Sequence, residues 1–234
     1  MTTKLDEVKK YFAPFFKEWG MMPIRNKRLW IDDNGYFLIV AEFQPLRAEA
    51  FFFNMAVHFS LVKREDIAYN FYHPDSRILV RKDQLMGAYL YDSPTFEEDL
   101  HLLTQQVFEK LQFYRNLRSL DFAIQALRNR RDLLYFQYRE KCNENDIYLG
   151  ILQMLDGDAN SAARVFNNRK EQAPISLVLL EHITSKEDFE AFILQGVNDT
   201  RKNLSKKYHI PLPSIQDIPS LFGKIVDSTM SFDD

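Results

Sequence analysis

Residues 36–62, YFLIVAEFQPLRAEAFFFNMAVHFSLV, are the most apolar run of the chain and decide its fold class. Side chains of a strand alternate between two faces. In the second half, Phe51, Phe53, Met55, Val57, Phe59 and Leu61 fall on one side, and Ala50, Phe52, Asn54, Ala56, His58 and Ser60 on the other. The odd set is wholly apolar. The even set is mixed, so solvent or a partly polar layer should lie against it. Residues 36–43 are apolar on both faces apart from Glu42, which suits a central strand. Pro45 has no N–H for a ladder and is expected to end that strand. Residues 44–49 then form a short loop, and an antiparallel pair follows.

Working outward, residues 3–19 carry Leu5, Val8, Phe12, Phe15, Phe16 and Trp19 at helical spacing. Pro14 should kink or split this helix, and Gly20 should stop it. Residues 27–32 read as a short strand, and Asp33-Asn34-Gly35 as the hairpin turn after it. The helix, with its Phe and Trp stripe, is the expected cover for the odd face. Beyond Leu61, residues 67–72, 77–81 and 86–91 read as strands, with turns at His73-Pro74-Asp75-Ser76 and near Asp83. A helix over 63–72 is the alternative for the first of them.

At Ser93 the pattern changes. Thr95-Phe96-Glu97-Glu98 fits a capping box, and helical spacing then holds over 95–117, 119–140, 145–156, 159–171, 175–183 and 186–207. Thr184-Ser185-Lys186-Glu187 is a second capping-box candidate. Residues 211–220 contain Pro211, Pro213 and Pro219 and should be extended. The expectation is an α+β fold: an N-terminal antiparallel β-sheet covered by an amphipathic helix, followed by an α-helical region of helical hairpins. The divisions fall at 1–93, 94–210 and 211–234, the last an extended, partly disordered tail.

Composition narrows the function. The chain has 234 residues, 20 Phe and 11 Tyr but only 7 Gly, which disfavours glycine-rich phosphate loops. A net charge of −3 gives no general pull towards nucleic acid or anionic membranes. A lone cysteine, Cys142, permits neither an internal disulfide nor a cysteine zinc cluster. The opening MTTKLDEVKK has no apolar signal core, and no apolar run reaches the length of a membrane span, so a cytoplasmic setting is expected.

Two stretches resemble known families. Ala13-Pro14-Phe15-Phe16-Lys17-Glu18-Trp19-Gly20-Met21, then Asn26-Lys27-Arg28, Gln44 and Phe53-Asn54-Met55, resemble a widespread bacterial domain family of unknown function over residues 5–62. That likeness implies no chemistry, and the family's immunity- and defence-like neighbours imply protein binding. Residues 143–176 resemble a single tetratricopeptide repeat, with Leu149, Gly150, Gly157, Ala162, Phe166 and Pro174 at its offsets and Gln153 in place of its central aromatic. No second copy is found, and one repeat cannot bury its own face. A helical hairpin that uses small residues at its crossing accounts for the same pattern.

No constellation fixes a chemistry. His58, His73, His101, His182 and His209 show no helical zinc spacing. Cys142 has no histidine close in sequence. Glu97-Glu98-Asp99 is what a helix dipole favours in a first turn. No nucleophile elbow, P-loop or dinucleotide fingerprint occurs, so no cofactor or metal is expected. Arg115, Arg118, Arg128, Arg130, Arg131, Arg139 and Lys141, with Tyr135, Phe136 and Tyr138 among them, could grip single-stranded nucleic acid or form a salt-bridged helix surface. Arg201-Lys202 and Lys206-Lys207 read as the solvated cationic end of a helix.

The leading expectation is a non-catalytic protein-interaction protein of bacterial type, such as an immunity or regulatory factor. It would have a protein partner of unspecified identity and no membrane contact. The candidate binding surface is Asn54, His58, Arg128, Arg131, Tyr135 and Tyr138. The alternatives are a nucleic-acid-associated protein using the basic helix around 115–141 and an enzyme with a dispersed site near His58, Asn54 and Tyr69.

Overall fold

A computed structural model describes residues 3–24, 28–46, 49–71, 76–81, 88–138 and 144–223, with backbone alone for 133–138 and 144. The Thr3 hydroxyl accepts the Asp6 N–H, and the Asp6 carboxylate accepts the Thr3 N–H. This reciprocal box starts helix α1, Lys4–Glu18. Pro14 does not split α1. It lies on the exposed side, where water can satisfy the Lys10 carbonyl that a proline cannot. Gly20, at φ +79°, takes the left-handed turn after the helix.

Five strands follow: β1 (Met22–Ile24), β2 (Leu29–Asp33), β3 (Phe37–Leu46), β4 (Ala50–Phe59) and β5 (Tyr89–Leu90). They form an antiparallel meander in chain order. β3 and β4 pair from Phe37↔Phe59 to Leu46↔Ala50, and β3 is central. Contrary to the sequence reading, Pro45 does not end β3; it sits opposite Phe51. Odd residues of β3 turn their backbone groups towards β2, as the Phe43 N–H to Arg28 carbonyl bond shows, and β2 has ended by Pro45. The missing N–H therefore faces no ladder partner among the described residues.

After β4 the expected strands shrink to isolated bridges, Val57↔Phe71 and Asn54↔Arg77, and to two-residue β5. Residues 63–69 form neither strand nor helix, and several of their backbone N–H groups are drawn to side chains. The Ala68 N–H donates to His58 Nδ1 at 3.0 Å, and the Arg64 N–H to Thr200 Oγ1 at 2.9 Å. The turn expected at 73–76 and that near Asp83 lie outside the described residues, save Ser76.

Six more helices are described: α2 (Phe96–Arg115), α3 (Leu120–Tyr138), α4 (Glu144–Leu155), α5 (Ala159–Arg169), α6 (Pro174–His182) and α7 (Lys186–Tyr208). The capping box at Thr95 is absent. The Thr95 hydroxyl donates to Asp99, while Arg81 engages Glu98 at 2.7 Å and Asp99 at 2.5 Å. At α7 the cap is Ser185, whose hydroxyl accepts the Asp188 N–H. In the α4–α5 hairpin a Cβ on Gly150 would lie 2.6 Å from the Phe166 ring, so only glycine permits that crossing.

The odd face of the sheet is dry. Phe12 and Phe16 of α1 pack on Phe43, Phe53 and Trp30, with ring centroids 5.0–6.3 Å apart. Farther along the same face, Phe71 packs on Tyr114 of α2 and Phe59 on Tyr148 of α4. Near β1 and β2 the even face is covered as well: Ile31, Leu38 and Val40 pack with Leu204 of α7 and with Ile210 and Leu212 beyond it. Arg201 of α7 is 2% exposed and grips Asp33 with two bonds of 2.7 Å. It also donates to the Gly35 carbonyl at 2.9 Å and the Pro213 carbonyl at 2.6 Å. This corrects the reading of Arg201 as part of a solvated helix end. No described helix is long and apolar enough to cross a membrane.

Candidate interaction surface

The α1 sequence carries two aromatic rows. Phe12 and Phe16, fully buried, seal the sheet. Tyr11, Phe15 and Trp19 repeat every four residues, one position before or behind that row, so they climb the flank of the helix rather than its core face. Their rings follow one another at 5.6 Å and 5.9 Å, and Trp19 then meets Phe108 of α2 at 5.3 Å. Tyr11 is 38% and Phe108 41% exposed, with Phe15 and Trp19 half-buried between them. Four aromatics thus form one continuous ladder at the surface.

The ladder is rigidly mounted. Arg115 forms an ion pair with Asp32 at 2.8 Å and donates to the Trp19 carbonyl, tying the end of α1 to α2 and β2. Beside Tyr11 a cleft of about 470 Å³ opens between α1 and the start of α2, lined by Glu7, Tyr91, Phe96, Glu97 and Leu100 among others. Burial, and the Asp6 carboxylate nearby, push the Tyr91 phenol up to about 12. Lys4, which lines the cleft, pairs with Asp92, and Arg115, which holds Trp19, pairs with Asp32.

Two of the residues singled out from sequence are buried rather than exposed. Asn54 and His58 share the even face of β4 but are 5% and 0% exposed. Asn54 donates to Gln44 Oε1 at 3.1 Å, and Arg77 stacks 4.0 Å over neighbouring Phe52. His58 accepts the Ala68 N–H at Nδ1, so its own proton sits on Nε2, which meets no hydrogen-bond acceptor among the described residues. Burial pushes His58 down to about 4. It is therefore a neutral core imidazole at neutral pH, with no carboxylate bonded to it among the described residues. Tyr69 donates to Glu42 at 2.7 Å.

On α3, Arg128 is half-buried, Arg130 is 5% exposed, and Arg131 is exposed and bonded to its neighbour Asp132 at 3.0 Å. Arg128 and Arg131, three residues apart, are neighbours on one face of α3, and Arg130 points away from them into the protein. Tyr135 and Tyr138 lie on α3 with only their backbone described; Arg139, Lys141 and Cys142 fall outside the described residues, as does His73.

A second cleft, of about 480 Å³, lies between residues 62–64 and the start of α6. Arg64 there donates to the Tyr148 hydroxyl at 3.2 Å, and Arg169 pairs with buried Asp146. Among the described residues no group of three His, Cys, Asp or Glu side chains could hold a metal ion. Tyr11 and Phe108 escaped the sequence reading because both sit one residue off the buried stripes. The available signal was the second four-residue aromatic period in α1. Comparison with protein-family models, curated proteins and solved structures returns no match.

Proposed function

We propose that the chain is a non-catalytic protein-interaction protein whose binding face is the α1–α2 flank. The observation that carries this reading is the aromatic ladder Tyr11–Phe15–Trp19–Phe108, exposed at its two ends and half-buried between them. Large aromatics with few rotatable bonds give up little entropy on binding and dominate interface energetics. A contiguous exposed aromatic strip costs solubility, so it marks a docking surface rather than an incidental one. The buried, neutral state of His58 weighs against the enzyme alternative at that residue. The burial of Arg130 and the pairing of Arg131 with Asp132 weigh against a nucleic-acid grip. An immunity or regulatory role, implied by the likeness over residues 5–62, belongs to the same reading.

The test is affinity capture from the native cell by the wild type and by a Trp19→Ala/Phe108→Ala variant, with mass spectrometry. Both residues are at least partly exposed, so the variant should fold. One stoichiometric protein held by the wild type and lost by the variant is the expected result. Equal capture by both forms, or capture of nucleic acid alone, sinks the reading.

A further inference from the structure

We propose that the α1–α2 flank takes a cationic amphipathic segment of a partner protein: its apolar side chains seat beside Phe96 and Leu100, and its Lys or Arg side chains lie over the aromatic ladder within reach of Glu7, Glu18 and Glu97. The inference rests on the interaction reading above and specifies the chemistry of the partner.

Charge decides the occupant. Glu7 of α1 and Glu97 of α2 both line the cleft that Tyr11 lines. Glu18 follows Phe15 by three residues and Tyr11 by seven, which places it on the ladder's side of α1. All three carboxylates are exposed, and none pairs with a cation among the described residues. The flank's own cations, Lys4 and Arg115, are neutralised by Asp92 and Asp32. The surface is therefore net acidic in spite of the lysines farther round α1.

The aromatic component points the same way. An aromatic face attracts Lys and Arg through its quadrupole, most strongly for Trp. The described cations that lie over rings do so elsewhere: Arg77 over Phe52, Lys110 by Tyr114 and Lys207 by Tyr208. The ladder's faces are left for an incoming cation. Four helical turns from Lys4 to Trp19 give a flank on the order of 20 Å long, a length that matches helix-in-groove recognition. Phosphate-bearing partners, whether nucleic acid or anionic lipid, meet like charge here and are disfavoured.

The experiment uses the full chain and two labelled synthetic peptides of roughly 18 residues, about five helical turns. One sets Leu and Lys at amphipathic spacing; the other replaces each Lys by Glu. Binding is read by anisotropy of the label. Trp19 emission reports the location, since Trp30, the second of two tryptophans, is fully buried. The Lys peptide should bind and shift Trp19 emission. It should weaken at least tenfold towards Glu7→Gln/Glu18→Gln/Glu97→Gln, and weaken again at high salt. The Glu peptide should not bind. Equal affinity for both peptides, or an unaffected triple variant, overturns the proposal, as does binding to phosphatidylserine vesicles or self-association through this flank in place of peptide binding. Should the protein captured from cells depend on Trp19 and Phe108 but not on the three glutamates, the interaction face stands and the cationic partner falls.

Discussion

His58 is where one residue's burial becomes a measurable property of the whole molecule. Folding holds its imidazole near pKa 4 by burial, against about 6.5 for the unfolded chain. Between those values the unfolded state binds the extra proton, so stability rises with pH across that window. The contribution is complete above pH 6.5 and disappears as pH falls towards 4. From pH 7 to pH 5 the loss should be about 2 kcal/mol. Arg64 and Asp66 are the charged groups acting on the ring, and they oppose each other. For Asp66, burial works upward, but hydrogen bonds from Lys207 and Tyr208 hold its carboxyl down at about 2, so it titrates below this window. Urea titrations at the two pH values check the effect, and His58→Gln should remove most of the difference. A variant that loses as much as the wild type between pH 7 and 5 would show that another group is responsible. The strand pattern placed His58 on the mixed face. It did not show that residues 63–71 would fold back over that face, because those residues are held by bonds to His58 and Thr200 that no local periodicity encodes.

At the scale of elements, what was legible is what local chemistry dictates. All the helices were readable from apolar spacing, and the β2–β3 hairpin from Asp33-Asn34-Gly35. The β3–β4 pair followed from the doubly apolar run 36–43 and the alternation of 50–61 after it. The described residues between 67 and 90 were legible only in outline. The strands expected at 67–72, 77–81 and 86–91 meet the sheet at Phe71, Arg77 and β5, and a strand that contributes a bridge here and two residues there has little period to read. Arg201 was equally hidden. On α7 it looks like one more cation near a helix end, yet it is the bolt between α7, the β2–β3 turn and residue 213. A buried guanidinium is stable only while its donors are matched, and a fork-shaped bidentate grip on Asp33 is a geometry lysine cannot supply. Arg201→Met should therefore cost about 3 kcal/mol by leaving Asp33 and two carbonyls without their donors. Arg201→Lys should recover less than half of that. The urea midpoint should fall with an unchanged slope. A midpoint shift worth under about 0.5 kcal/mol in Arg201→Met, the size of an ordinary surface change, would remove the bolt from this account.

The molecule as a whole is a sheet covered from both sides by different parts of the chain. α1, α2 and α4 cover the odd face, while the end of α7 and the residues beyond it cover the even face near β1 and β2. The chain leaves α7 through His209, at φ +54°, and Ile210 and Leu212 then close over Ile31, Leu38 and Val40 at 6% and 7% exposure. Asn198 fastens this return with two bonds to Ile215, one to its carbonyl at 3.0 Å and one from its N–H at 2.8 Å. Farther on, Leu221 is fully buried and Phe222 packs 5.3 Å from Tyr36. Three prolines make these residues poor helix and strand formers, and nothing in their composition reveals that they complete a core at the opposite end of the sequence. Each such side chain is worth roughly 1.5–3 kcal/mol when fully buried, and a domain of this kind is stable by only about 5–15 kcal/mol. Ending the chain at His209 removes three of them and the Pro213 carbonyl from Arg201. It should consume most of that margin, leaving a protein that binds a hydrophobic dye and melts without a sharp transition. The milder Leu212→Ala should keep the cooperative melt and lose about 2–3 kcal/mol. Those outcomes separate a structural strap from an appended segment: a chain ending at His209 that melts as sharply and as high as the full chain would mean that the even face of the sheet needs no cover.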